Sequence, residues 1–436
     1  MASSRKSQTS LKTTNRIAVA LSGGLDSVVL LDTVCKAQAN NKTTEIFVFH
    51  IHHGLQKPAD DWLIFCEKLA KKYRVHFDFR LLHIDIVNNP GNIEARARAA
   101  RYEALTELCE EYGIHDLLLA HHQNDQAETV LLQLLRGSGI AGLVGMPSER
   151  QLPSGQTTIR LWRPLLSQSK AELEAYAKVH RLDWIEDPSN QSRKYKRNAI
   201  RKDIMPRLEK IQPEAIANLA RSAHLLAQAQ SLLDRLAVAD GKAILIKVNV
   251  ETRLAIKPLL QLAINDDLPA ANNVLRYWLR LHQLAMPSQE RLQSWWADLH
   301  NSKSSAQLEW QHDGRSIRLW REQLQVASTQ SGKWFFKAIP TKSKLLGLPA
   351  AWVKAAQEQG KIRQQQRLGS EKLQIKPNSP RKTLKNLFQE GNIPPWERDA
   401  PLLYIDGELI AVAGVGVSYP HLVNSGARVL PEWQEG

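Results

Sequence analysis

The stretch Arg16-Ile-Ala-Val-Ala-Leu-Ser-Gly-Gly-Leu-Asp-Ser-Val-Val-Leu-Leu31 joins an apolar run, a glycine turn and the start of a helical pattern within sixteen residues. Ile17 to Leu21 is nearly continuous in apolar side chains, the pattern of a strand covered on both faces in a parallel sheet. Ser22-Gly23-Gly24 ends it, and glycine both tolerates unusual backbone angles and lets a bulky anion approach the main chain. Asp26 and Ser27 are N-cap candidates, followed by an apolar helical face from Val28 to Val34. The pattern predicts an anion cradle built from Ser22, Gly23, Gly24, Leu25, Asp26 and Ser27, with free N–H groups at a helix N-terminus. The two glycines alone suit an ordinary strand-turn-helix equally well. The full string is narrower, and it is neither a Walker loop, lacking the Lys after the last glycine, nor a GxGxxG fingerprint.

Outward from this stretch the chain alternates. Strands are expected at Glu45 to Ile51, Val75 to Leu82 and Asp116 to Ala120, with helices at 60–73, Asn92 to Tyr112 and from the His121 region to about Leu135. Such alternation indicates right-handed crossovers and a doubly wound parallel α/β sheet. In an open sheet of order 3-2-1-4-5, ligands bind where the order reverses, beyond the carboxyl ends of the first and fourth strands. That crevice gathers Ser22 to Ser27 and His121 to Asp125.

The 436 residues exceed one typical core, and Lys plus Arg outnumber Asp plus Glu by 58 to 44, a formal net charge of +14 that suits a polyanionic partner. The cysteines Cys35, Cys66 and Cys109 form no CxxC pair, which disfavours a zinc ribbon, a redox pair or a disulfide framework and fits a cytoplasmic setting. No stretch of eighteen apolar residues predicts a membrane span. Residues 1–15 read as a disordered tail, 16–212 as the nucleotide-binding domain, 213–330 as a mostly helical middle domain, and 333–436 as a small basic α+β domain.

Several features carry two readings. His52/His53 and His121/His122 could hold a transition metal, but neighbouring strand residues face opposite ways, so hydrogen-bonding or substrate contacts are the expectation. Glu94, Arg98, Arg101 and Tyr102 could be surface helix pairs, with one Arg turned toward nucleotide or RNA. Arg136-Gly-Ser-Gly139 reads as a helix C-cap with Gly137 left-handed, or as a phosphate contact. Arg193, Lys194, Lys196, Arg197, Arg201, Lys202 and Arg207 stand against Asp203, a run that suits a solvated face or, given Tyr195 and Asn198, contact with RNA or triphosphate, which is the favoured reading. After a linker near Thr329 to Gly332, the basic residues from Lys361 to Lys385, with Ile393-Pro-Pro-Trp396 nearby, offer phosphate attraction and a stacking ring.

The string Ser22-Gly-Gly-Leu-Asp-Ser27 resembles the SGGxDS signature of the PP-loop ATP pyrophosphatases. Further strings resemble one family within them, the tRNA(Ile)-lysidine synthetases in their long three-domain form: HHGL from His52, NIEARARAARYEAL from Asn92, HHQNDQAET from His121, RGSGIAGLVGM from Arg136, RPLL from Arg163, DPSN from Asp187 and YKRNAIR from Tyr195. The likeness is strong over about residues 16–210. It implies ATP and magnesium as cofactors, and as substrates L-lysine and an isoleucine tRNA with a CAU anticodon, whose first anticodon cytidine is adenylated and then joined to lysine. A homodimer is carried as an open assembly state, and no membrane is involved.

Under that resemblance the cradle holds phosphates, Asp26 orients magnesium or the leaving pyrophosphate, and Asp125 receives the lysine ammonium or the base. Arg197, with Arg201 as the alternate, neutralises charge building on the α-phosphate. Rivals are a tRNA thiolase, which calls for cysteine pairs, an amidotransferase, which calls for a glutaminase nucleophile, and a noncatalytic RNA-binding protein, in which the loop would have decayed.

Overall fold

The computed structural model describes residues 15–39, 43–52, 59–82, 93–153, 158–186, 196–248, 251–264, 267–301, 308–327, 332–340, 343–391, 393–399 and 401–435. The expected tail, His53 to Leu55, Asn92, Asp187 to Asn190, Arg193 to Tyr195 and most of the linker before Gly332 lie outside them, as does the side chain of Glu94. The chain forms two compact units, residues 1–233 and 234–436.

The first unit is built on β1 (Asn15–Ala20), α1 (Leu25–Gln38), β2 (Thr44–His52), α2 (Ala59–Tyr73), β3 (His76–Leu81), α3 (Ile93–Glu111), β4 (Asp116–Leu118) and α4 (Gln123–Leu135). After α5 (Ile140–Leu143) come the hairpin β5 (Glu149–Pro153) and β6 (Thr158–Trp162), then α6 (Lys170–Val179), α7 (Lys196–Ala199), a π-helical turn (Ile200–Ile204), α8 (Met205–Ile211) and α9 (Ala215–Asp240). The sheet order is β3-β2-β1-β4-β6-β5. Its first five strands are parallel, and β5 returns antiparallel to β6. The order therefore reverses between β1 and β4, as the alternation predicted. The hairpin at one edge was not anticipated.

The apolar run of β1 is explained by its two faces. Val19 and Leu21 join one core with α1 and α2, including Val28, Leu30 and Leu69, whereas Ala18 joins the opposite core with Phe49 from β2 and Leu105 and Leu108 from α3. Alternate side chains thus enter different layers, and each must be apolar. Each fully buried Val or Leu contributes roughly 1.5–3 kcal/mol. One polar knot ties the helices on the first face. Buried Asp32 of α1 accepts the Tyr73 hydroxyl at 2.7 Å, the Tyr176 hydroxyl at 2.7 Å and the Lys36 ammonium at 2.8 Å. Burial works against its charge, but these hydrogen bonds and Lys36 hold its carboxyl below the usual range.

The second unit begins with β7 (Leu245–Val248), β8 (Glu251–Ala255), α10 (Ile256–Ile264), α11 (Leu268–Leu281), α12 (Gln289–Asn301), β9 (Glu309–His312), β10 (Arg315–Trp320) and β11 (Gln323–Val326). The helices pack on an antiparallel sheet of order β7-β8-β11-β10-β9. Trp278, Trp295 and Trp310 share that core, the last two stacked with centroids 4.5 Å apart. The remainder contains β12 (Gly332–Ile339), β13 (Leu348–Pro349), α13 (Ala350–Glu358), β14 (Ile362–Gln365), β15 (Lys372–Leu373), β16 (Lys382–Thr383), α14 (Leu384–Glu390), β17 (Leu402–Ile405), β18 (Glu408–Val412), β19 (Gly416–Val417) and β20 (Arg428–Glu435). Here β12 pairs along its whole length with β20, from Gly332 opposite Glu435 to Ile339 opposite Arg428. A strand whose partner lies about a hundred residues away leaves no local signal, which is why neither was foreseen.

Candidate active site

Gly24 is the N-cap of α1, in extended conformation and with no side chain capping the helix. This corrects the expectation for Asp26 and Ser27, which lie in the first turn. Ser27 braces the loop instead: its hydroxyl donates to the Gly24 carbonyl at 2.9 Å and accepts the Ser22 N–H at 3.2 Å. Gly23 has φ +87°, and a Cβ there would sit 3.3 Å from Cys66 Sγ, so geometry and space both select glycine. Leu25 is buried in the core, which leaves only its main chain for a ligand. The uncapped N–H groups of a helix start favour an anion, here at the carboxyl end of β1.

Across the switch point His122 caps α4. Its Nδ1 accepts the Asn124 N–H at 3.2 Å, and its own N–H donates to Asp125 Oδ2 at 3.1 Å. The same ring lies 3.4 Å from Asp26 Oδ2 and 3.5 Å from Asp125 Oδ2 through Nε2. Burial opposes a charge on His122, but Asp26 and Asp125 outweigh it and raise its pKa. A second proton would occupy Nδ1 and end the cap, so the cap geometry calls for the tautomer with its proton on Nε2. His121 is the opposite case: burial, helped by Arg163, Arg101 and Arg197 against the pull of Asp125, pushes it down to about 3.

Asp125 and Glu128, one α4 position short of a full turn apart, receive both arginines singled out in the sequence. Asp125 Oδ1 accepts Arg197 Nη2 at 2.9 Å and Arg201 Nη2 at 3.2 Å. Glu128, 1% exposed, accepts Arg197 Nε at 2.7 Å, and Arg201 Nε at 2.5 Å with Arg201 Nη2 at 3.0 Å. Burial alone would raise the Asp125 carboxyl, but His122, the Arg197 guanidinium and the His122 N–H hold it below the carboxylate range. Arg201 belongs to the π-helical turn, an element that recurs at functional sites.

Two cavities flank this cluster, and Asp26 lines both. One, about 210 Å³, is walled by Ala20, Phe49, Ile51, Leu105 and Leu119, with Ser22, Ser27, Arg101, His121 and Asp125 as its polar groups. The other, about 760 Å³, is bordered by Gly24, His122, Glu128, Arg201, Lys170, Glu174, Trp184, Glu186 and Glu209. Asp26 Oδ1 is buried and has no hydrogen-bond partner among the described residues.

Residues 2–208 match a PP-loop domain model, 254–325 a TilS substrate binding domain and 362–432 a TilS substrate C-terminal domain. Proteins named tRNA(Ile)-lysidine synthase are similar to the chain along nearly all of both lengths. The one from Burkholderia pseudomallei is 35% identical over 92% of this chain and 89% of its own. That from Pseudomonas aeruginosa is 35% identical over 91% and 89%, and that from Coxiella burnetii 34% over 93% and 90%. The chain belongs to the tRNA(Ile)-lysidine synthase family.

Within this family fold the sequence-derived site residues Asp26, Asp125, Arg197 and Arg201 meet at one crevice with the loop Ser22 to Ser27. Glu128 was missed as a site residue although it lies inside HHQNDQAET; its signal is the spacing of three from Asp125, which puts both acids on one helix face. Of the α3 group, Arg101 enters the small cavity, while Arg98 lies over the Tyr102 ring at 5.6 Å. Gly137 has φ +71° and its N–H closes onto the Leu134 carbonyl at 2.9 Å, the geometry of a helix C-cap. His52 faces Asp60 at 3.2 Å, and among the described residues no group of three or more His, Cys, Asp or Glu is arranged to hold a metal.

Proposed function

We propose that this chain ligates L-lysine to carbon 2 of the cytidine at the first anticodon position of an isoleucine tRNA with a CAU anticodon. The observation that carries this reading is Asp26, standing on the phosphate loop and in the wall of both cavities. The small cavity, with apolar walls and convergent polar groups, suits the nucleoside of ATP, and the larger acidic one suits a base together with a cationic amino acid. The cytidine 2-carbonyl oxygen attacks the α-phosphorus and pyrophosphate leaves. Lysine's side-chain nitrogen then bonds to carbon 2, the C–O bond to AMP breaks, and the nitrogen gives up its excess proton. Adenylation turns an amide-like oxygen into a leaving group whose charge the site can stabilise.

Between the two arginines, Arg201 is favoured for the α-phosphate because it lines the large cavity with Asp26, whereas Arg197 lines neither. Asp125 and Glu128 are saturated by guanidinium donors, so a lysine ammonium gains them as Arg201 turns to phosphate. The free, buried Oδ1 of Asp26 is a hard oxygen ligand and fits magnesium, which when bound would neutralise phosphate charge. Among the described residues no helix is long and apolar enough to cross a membrane; we assign the reaction to the cytoplasm, and light scattering decides whether a homodimer forms.

Incubation with ATP, labelled lysine and total tRNA tests the activity. ATP-dependent label in nucleic acid supports it; thiolation, or no transfer, overturns it.

A further inference from the structure

We propose that His122 is a positioning residue that holds Asp26 of the phosphate loop and Asp125 of α4 in register for the reaction. The ring is 3% exposed and committed at both ends. Because Nδ1 accepts the Asn124 N–H, the proton resides on Nε2, and Nε2 lies 3.4 Å from Asp26 Oδ2 and 3.5 Å from Asp125 Oδ2. One N–H therefore faces two carboxylates that come from the first turns of different helices and would otherwise repel each other. Its attraction for Oδ2 selects which oxygen of Asp26 turns toward the ring, leaving Oδ1 without a hydrogen-bond partner among the described residues and available to a cation. Interactions of this length tighten when substrate binds. Arg201 also borders the group, and it is paired with Asp125 and Glu128 rather than with Asp26.

This inference rests on the adenylation reading, and the test separates the two. Asparagine is among the best N-capping residues. His122→Asn therefore keeps a partner for the Asn124 N–H, but its shorter side chain does not reach Asp26. Melting temperature, ATP affinity by calorimetry across a magnesium series, and tRNA-dependent ATP–pyrophosphate exchange are measured for both proteins.

We expect an unchanged melting temperature, a KM for ATP within about threefold, a higher magnesium requirement for ATP binding, and kcat lowered about 10- to 100-fold, the range for partners that orient a metal-binding group. His122→Ser, which caps by the same route, must show the same split. The double variant His122→Asn/Asp26→Asn must lose less than the product of the two single losses, since the histidine acts in part through that acid. Wild-type kcat and magnesium dependence in His122→Asn overturn the inference, as does a loss that tracks melting temperature and adds fully in the double variant. Absence of exchange in the wild type instead overturns the adenylation reading.

Discussion

The crevice and the C-terminal third carry charge in opposite ways. Around α4, buried Glu128 and largely covered Asp125 share two guanidiniums, so each of these acids has partners within hydrogen-bonding distance. Between β14 and α14, Arg363, Lys372, Lys376, Arg381 and Lys385 are exposed, and no ion-pair partner is seen for them among the described residues. Lys361 and Lys382 have Asp406 and Glu390. Buried, paired charges cost desolvation but are strong and directional, which is what a reaction needs. Exposed cations act through a screened field that any phosphate can feel, which is what capture of a large polyanion needs. Mutations in the two regions should fail differently.

The largest effect is expected in the crevice. Asp26→Ala removes the acid common to both cavities, and pyrophosphate exchange should fall by about 100-fold or more, as when a preorganised electrostatic group is lost. Its side chain is partly exposed, so the melting temperature should hardly move. Near-wild-type exchange would remove Asp26 from the mechanism.

The arginines should separate next. Arg201→Ala is expected to lower kcat for exchange about 100-fold. Arg197→Ala should act mainly on stability, because an uncompensated charge at buried Glu128 costs roughly 3–5 kcal/mol before Arg201 compensates. Parallel melting curves and exchange assays check this, and the reverse ranking would reassign the α-phosphate to Arg197. Asp125→Asn should raise the KM for lysine about tenfold, on the scale of one charge-assisted hydrogen bond, and change ATP affinity less. Unchanged lysine dependence would sink that role.

In the C-terminal third the readout is salt, not turnover at saturation. Changing Lys372, Lys376, Arg381 and Lys385 to Gln should flatten the logarithmic salt dependence of tRNA affinity by roughly 0.7–0.9 for each phosphate that is no longer neutralised. Exchange at saturating tRNA should stay near wild type. Equal slopes would make these charges a solvated face only.

Asp32 supplies the smallest effect on activity and sharpens the contrast, being buried and paired but lining neither crevice cavity. Its carboxyl is held low in the folded state, so its stabilisation is present above the unfolded carboxylate pKa of about 3.9 and is lost as pH falls through the folded value. Asp32→Asn should therefore lower the melting temperature at neutral pH, with the gap closing in acid and exchange activity preserved. A gap independent of pH would mean that the charge contributes nothing.

The sequence by itself determined the parts governed by short-range pattern. The run from Ile17 to Leu21, the break at Ser22-Gly23-Gly24 and the strand–helix alternation settled the parallel sheet and its switch point, because periodicity and turn chemistry are local. From these it followed that Asp26 and Asp125 meet. The tertiary structure alone decided which atoms face each other. Gly24 rather than Asp26 caps α1, which frees the acid for the cavities. Arg197 and Arg201 fold onto Glu128, and His122 bridges two loops 96 residues apart, Asp26 to His122. Such pairings depend on helix phase and on the depth of burial after packing, and the pairing of β12 with β20 depends on closing a long loop; none of these leaves a periodic trace in the chain.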